Sequence, residues 1–162
     1  MEHNTYKKLE KAVVNAGIGK ISNLPNFSDK ILPALMKDFA LMTGQKPATR
    51  PAKQSISGFK IREGAVVGLK ATLRGKRMVQ FLEKLNRVVL PRIRDFRGLD
   101  PKSIDKGGNL SLGIKENVVF PEISPEVSKV NFGVEVTIVP KHVKSREEAI
   151  KMYREMGIPL KK

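Results

Sequence analysis

The stretch Val130-Asn131-Phe132-Gly133-Val134-Glu135-Val136-Thr137-Ile138 places an apolar residue at every second position. Side chains of a strand alternate between faces, so Val130, Phe132, Val134, Val136 and Ile138 share one side. Asn131, Gly133, Glu135 and Thr137 take the other. The pattern predicts a strand with one buried face, and the same rhythm recurs elsewhere. Leu9 to Ala16 sets Ala12, Val14 and Ala16 against Lys11, Val13 and Asn15. Residues 65–74 set Ala65, Val67, Leu69, Ala71 and Leu73 against Val66, Gly68, Lys70, Thr72 and Arg74. Leu110, Leu112 and Ile114 alternate with Ser111, Gly113 and Lys115.

Between these strands the spacing becomes helical. Leu32, Leu35, Met36, Phe39 and Met42 predict a helix over 28–43 that Gly44 stops, with Pro33 either starting it or bending its first turn. Met78, Phe81, Leu82, Leu85 and Val89 predict a second helix from Gly75 to about Leu90, stopped by Pro91. Ser145-Arg146-Glu147-Glu148 reads as a capping box. It opens a third helix carrying Ala149, Met152, Tyr153 and Met156, closed by Gly157 and Pro159. Residues 47–64, punctuated by Pro47, Pro51, Gly58 and Gly64, read as irregular. The order is strand, helix, strand, helix, strand, strand, helix. That order predicts an α+β fold, a mostly antiparallel sheet with helices packed on one face and the other face open. With no Gly/Ser-rich linker and no internal repeat, the expectation is one domain over residues 1–162, with a mobile basic loop at about 50–63.

The charge is the strongest functional signal. The 162 residues carry 31 Lys plus Arg against 16 Asp plus Glu, a net charge of +15. Residues 50–106 hold 15 of those cations and 5 of the acids, net +10, while 1–49 and 107–162 carry only +3 and +2. A concentration of this kind calls for a polyanion. Nucleic acid is favoured over a membrane, because no basic amphipathic helix with a bulky aromatic face stands out. The open sheet face would display Lys11, Asn15, Lys70, Thr72, Arg74, Ser111, Gly113, Lys115, Asn131 and Thr137. Such a face lies either against an RNA backbone or against water. Phe132 falls on the apolar side and no aromatic falls on the polar one. Recognition by shape, phosphate and ribose is therefore favoured over base stacking. Asn15, Gln45 and Thr72 suit ribose and base edges; Lys46, Lys70 and Arg74 suit phosphates. The loop around Gly58-Phe59-Lys60-Ile61-Arg62 is a second candidate. It is either a solvated loop tethered at Phe59 or a probe that orders on a second RNA.

Other chemistries find no residues to carry them. With no Cys there is no disulfide, thiolate nucleophile or Cys-containing zinc site. No apolar run approaches the ~18 residues of a membrane span, and the opening MEHNTYKKLEK does not read as a signal peptide. His3 and His142 are the two histidines. Gly17-x-Gly19 lacks the third glycine of a dinucleotide fingerprint and reads as a tight turn. Asp95 lies between Arg94 and Arg97 and reads as an ion-pair partner. The expectation is a non-enzyme with no cofactor and no metal. The alternatives are a basic architectural protein that binds RNA or DNA without sequence preference, and an RNA-processing enzyme.

Several runs together resemble a known family. They are Val14-Asn15-Ala16-Gly17-Ile18-Gly19, Thr43-Gly44-Gln45-Lys46-Pro47, Gly58-Phe59-Lys60-Ile61-Arg62-Glu63-Gly64 and Thr72-Leu73-Arg74-Gly75. Further along come Pro91-Arg92-Ile93-Arg94-Asp95-Phe96-Arg97-Gly98-Leu99, Gly108-Asn109-Leu110-Ser111-Leu112-Gly113 and Phe120-Pro121-Glu122-Ile123. In this order they resemble the bacterial form of large-subunit ribosomal protein five, the 5S rRNA-binding family, over about residues 9–160. The resemblance implies a place in the central protuberance of the cytoplasmic ribosome. It implies that the open sheet face grips 5S rRNA, with Asn15, Gln45 and Thr72 at the family's RNA-contacting positions, and that 23S rRNA lies nearby. It implies that the loop carrying Ala52, Lys53, Gln54, Ser55, Lys60 and Arg62 reaches peptidyl-site tRNA. A bridge to small-subunit protein thirteen would use residues 95–109 or 120–133. The chain departs from the family pattern at several points. Little precedes Leu9, Gln54 stands where a second basic residue usually precedes Ser55, Ala16 replaces the usual Met, and Leu110 stands where Tyr is common.

Overall fold

Leu69, Ala71 and Leu73 are buried while Lys70 and Thr72 between them are half-exposed, so the alternation in residues 65–74 is the pleat of a sheet. The computed structural model of the chain describes residues 5–126, 128 and 130–161; His3 lies outside them. Five strands form one antiparallel sheet. They are β1 (Leu9–Gly17), β2 (Ala48–Pro51), β3 (Val66–Leu73), β4 (Leu110–Ile114) and β5 (Val134–Pro140), in the order β2-β3-β1-β5-β4. The helices are α1 (Leu32–Thr43), α2 (Gly75–Lys84), a short α3 (Leu90–Arg92) and α4 (Arg146–Glu155). The α+β class is as expected from the sequence.

Two compact units make up the chain. The first comprises Met1–Val13, Thr72–Gly113 and Glu135–Lys162. Its core holds Leu73, Phe81, Leu82, Leu85, Leu112, Ile138 and Tyr153, all buried. Leu82, Leu85 and Leu90 surround a small void with Leu112 and Ile138, so the helix lies on the apolar side of β4 and β5. Each such side chain fully buried contributes about 1.5–3 kcal/mol. The second unit comprises Val14–Ala71 and Ile114–Val134, with Val14, Leu35, Phe39, Met42, Leu69, Phe120 and Phe132 in its core.

Three details depart from the sequence expectation. Residues 47–64 are not irregular throughout, because β2 lies among them and pairs antiparallel with β3, Ala48 facing Lys70 and Arg50 facing Gly68. All four β2 residues are exposed, so no apolar alternation marks this edge strand. Strand β5 begins at Val134 rather than Val130. Side chains occupy the backbone just before it. The Val130 carbonyl accepts from Asn117 Nδ2 at 3.4 Å, and the Asn117 N–H donates to Asn131 Oδ1 at 3.4 Å. Phe132 is nonetheless buried, as the alternation requires.

The third concerns proline. Leu90 is helical and the chain continues through Pro91 to Arg92, turning extended only at Ile93. A proline ring inside a helix clashes with the carbonyl four residues earlier. Here a π-helical turn, Leu85–Val89, precedes it, with the Leu90 N–H donating to the Leu85 carbonyl. Pro33 follows the same arrangement. A π-helical turn over Phe27–Ile31 leads into α1, and the Leu32 N–H reaches back to the Phe27 carbonyl. At Pro91 the wider turn relieves the clash, and the helix continues where sequence rules place a stop; at Pro33, as the sequence allowed, α1 starts with the proline in its first turn.

Candidate nucleic-acid interface

In the second unit the open face is built on β1, β2 and β3. Asn15 is half-buried between buried Val14 and Ala16. Lys70 is half-exposed between buried Leu69 and Ala71. Because paired residues share a face, the register sets Arg50 and Ala48 on the same side as Lys70. A Cβ at Gly68 would lie in ordinary contact with the Arg50 Cβ at 3.5 Å and the Ala16 carbonyl at 3.4 Å, which places the two strands side by side. Arg50 is a surface cation the sequence left in an irregular segment. All of β2 is exposed and 14 residues separate it from β3, so no alternation and no short turn marked this strand in the sequence.

Gln45 and Lys46 come from the turn that ends α1. Gly44 takes a left-handed conformation, φ 69°, and its N–H donates to the Ala40 carbonyl at 2.8 Å. The Thr43 hydroxyl stands 2.8 Å from the Phe39 carbonyl and 2.9 Å from that of Gln45. This buried hydroxyl locks the direction in which the chain leaves the helix. Gln45 is half-buried and Lys46 exposed, immediately ahead of β2.

In the first unit Thr72 is half-buried on β3, and Arg74 is exposed one residue before α2. Ser111 and Thr137 meet across β4 and β5, their hydroxyl oxygens 3.1 Å apart. Lys11 forms an ion pair with Glu10 at 3.3 Å. Glu135 is also exposed on this side of β5, so the open face carries a carboxylate among its polar groups.

The basic loop is built as a hairpin beyond β2 and β3. The Ala52 N–H donates to the Ala65 carbonyl at 2.8 Å, and the Gly64 N–H to the Ala52 carbonyl at 3.0 Å. Ile56 and Ile61 exchange backbone bonds of 2.8 and 3.1 Å. A 3-10 turn, Ser57–Phe59, forms the tip, followed by Lys60 at φ 53°. Asn23 Nδ2 donates to the Phe59 carbonyl at 3.1 Å, and the Phe59 ring is 65% exposed. Lys53, Gln54, Ser55, Lys60 and Arg62 are exposed around it, and Ala52 is half-buried at the base.

Among the described residues, acid-base chemistry has no centre. The Asp105 carboxylate accepts from the Asn109 N–H and side-chain amide, each at 2.8 Å, and these bonds hold it below its ordinary range. It is thereby suited to bracing a turn and not to holding a proton. His142 sits exposed in the loop after β5 with φ 51°. Among the described residues no group of three His, Asp or Glu could hold a metal ion, and no helix is long and apolar enough to cross a membrane.

Fold and surface thus define a basic α+β protein with a polar sheet face, a cationic hairpin and no catalytic constellation among the described residues. A family model described as Ribosomal protein L5 matches residues 7–62, and one described as the C-terminus of the same ribosomal protein family matches residues 66–160. The large ribosomal subunit protein uL5 of Halothermothrix orenii is 48% identical over 154 residues, spanning 94% of this chain and 82% of its own length. That of Thermus aquaticus is 47% identical over 155 residues, 96% and 82%. That of Pseudothermotoga lettingae is 47% identical over 159 residues, 98% and 84%. The chain belongs to the uL5 family of large-subunit ribosomal proteins. It is therefore a constituent of the large ribosomal subunit and not an enzyme, and its place is the ribosome, a cytoplasmic particle in bacteria.

Proposed function

We propose that the chain binds 5S rRNA with the open face of its sheet and helps attach it in the central protuberance. The observation that carries this reading is β3, where Lys70 and Thr72 point outward from a strand whose Leu69, Ala71 and Leu73 are buried. Burial of the alternate residues fixes where the outward ones stand, so little side-chain order must be imposed when RNA docks. Lys46, Lys70 and Arg74, with Arg50 beside them, neutralise phosphates. Asn15, Gln45 and Thr72 exchange hydrogen bonds with ribose hydroxyls and base edges. In this reading residues 1–162 act as one RNA-binding domain, and the hairpin of Ala52, Lys53, Gln54, Ser55, Lys60 and Arg62 meets peptidyl-site tRNA. Further partners are 23S rRNA and small-subunit protein thirteen, the latter through residues 95–109 or 120–133.

A salt-dependent titration against 5S rRNA, a tRNA and a scrambled RNA of equal length tests the proposal. Selective binding to 5S rRNA is expected. Asn15→Ala and Thr72→Val should each weaken it about fivefold, the worth of one hydrogen bond near 1 kcal/mol, at unchanged melting temperature. Equal binding to all three RNAs would favour a non-specific architectural protein. Unchanged affinity in both variants would remove those residues from the site.

A further inference from the structure

Between α1 and the segment after β4, the second unit holds a cavity of about 620 Å³. None of the RNA-binding residues proposed above lines it. Its size falls within the range of small-molecule sites, about 300–1,000 Å³. Ile31, Ala34, Leu35 and Leu41 form one wall, and Ile123 and Val130 contribute to the other. On α1 the residues Ala34, Asp38 and Leu41 recur at helical spacing, in a stripe beside buried Leu35, Phe39 and Met42. Leu41 is 48% exposed, so this stripe leaves apolar surface in water.

Asp38 is the charged member of that stripe. It is half-buried and lines the cavity. The Ser128 hydroxyl donates to Asp38 Oδ2 at 2.8 Å. Fully buried Asn117 donates from Nδ2 to the same hydroxyl oxygen at 3.3 Å. These bonds fix where the carboxylate stands, but a neutral hydroxyl does not cancel its charge. Among the described residues no Lys or Arg lies within ion-pair distance of Asp38, in a chain that carries 31 of them. Lys30 and Lys37 reach the same cavity, yet both are exposed. Long side chains of this kind lay their stems on apolar surface and keep the charged end in water. A carboxylate set into an apolar wall without a cation calls for a partner of opposite sign.

We propose that this cavity binds a small organic amine, with its ammonium on Asp38 and its apolar body against Ile31, Ala34, Leu35 and Leu41. The ammonium donates to the carboxylate oxygen that Ser128 does not occupy, and a charge-assisted bond is stronger than one between neutral groups. Removing the apolar body and the exposed part of Leu41 from water supplies the rest of the affinity. The site is independent of the RNA reading and stands whether or not the sheet face takes 5S rRNA.

The test follows the backbone amide spectrum of the isotope-labelled full chain, without RNA, through titrations with phenylpropylamine, phenylpropanol and phenylpropionate. The three probes share an apolar body and differ in charge. The amine should give saturable shifts at Ile31, Ala34, Leu35 and Leu41, with a Kd on the order of a millimolar, as befits so small a ligand. It should bind about tenfold or more tightly than the propionate. Asp38→Asn keeps an acceptor for Ser128 and should weaken the amine about tenfold while leaving the alcohol unchanged. Ala34→Leu fills the cavity from an exposed helix position and should weaken amine and alcohol alike. If Asp38→Asn fails to fold, Ala34→Leu reports the location and the ratio of amine to propionate reports the charge. Shifts that do not saturate, or that lie away from α1, overturn the site. An unchanged amine affinity in folded Asp38→Asn overturns it too. Propionate binding as tightly as the amine would do the same, and would mean that Lys30 and Lys37 set the charge of the cavity.

Discussion

Tyr153 is fully buried, and its hydroxyl lies 2.8 Å from the Gly108 carbonyl and 3.2 Å from that of Ile138. It ties α4 to β5 and to the turn before β4. Tyr153→Phe removes the donor and leaves a buried carbonyl unsatisfied, so urea denaturation should register a loss of about 1–3 kcal/mol. Burial, above all, pushes the phenol well above its ordinary value of ten. The folded state then keeps a proton that the unfolded state releases near pH 10, so wild-type stability falls as pH rises past that point. Below it both states are protonated and the group adds no slope. The gap between wild type and Tyr153→Phe should be constant from pH 7 to about 9.5 and then narrow by up to about 1.4 kcal/mol per pH unit. A gap unchanged at pH 11 would mean the hydroxyl is not desolvated. At this scale the sequence was legible where side-chain type and alternation agree, as for Asn15, Lys70 and Thr72. It was not legible for Arg50, whose face follows from pairing with Gly68, a partner distant along the chain.

Helix α4 is the element whose local signals and final geometry agree most fully. Ser145 Oγ accepts the Glu148 N–H at 3.2 Å, and Glu148 Oε2 accepts the Lys144 N–H at 3.0 Å. The carboxylate reaches one residue beyond the cap position of the motif, and Glu147 and Glu148 both favour the helix N-terminus. Ser145→Ala should cost about 1 kcal/mol, lowering the melting temperature by roughly 2–4 °C, while Ser145→Asp should stay close to wild type. Equal melting of the Ala variant would mean that packing of Ala149, Met152 and Tyr153 alone holds the first turn. Elements were missed where a local rule met a non-local remedy. Pro91 should end a helix, yet a π turn over Leu85–Val89 absorbs the clash. Val130–Gly133 alternates like a strand, yet Asn117 takes the Val130 carbonyl and the Asn131 side chain instead. β2 has no apolar face at all, so only its pairing with β3 makes it a strand.

At the scale of the whole molecule the net charge of +15 opposes folding by self-repulsion and draws in a polyanion. Its placement matters more than its size, since residues 50–106 hold +10 and the remaining 105 residues share +5. Lys46, Arg50, Lys70 and Arg74 beside the sheet, with Lys11 and Lys115 of the open face, make about six phosphate contacts a reasonable load for one RNA. Six contacts imply a log-log slope of about −5.4, and affinity should fall on the order of a thousandfold between about 50 and 200 mM salt. The hydrogen-bonding residues should not alter that slope. Thr72→Val and Asn15→Ala lower affinity by a constant factor at every salt concentration, whereas Lys70→Gln shallows the slope by about 0.9. Parallel lines for the polar variants and a shallower line for Lys70→Gln would separate positioning by phosphate from reading by ribose and base. A slope near zero in the wild type would mean that the charge is not spent on phosphates, and the RNA-binding reading would fail with it.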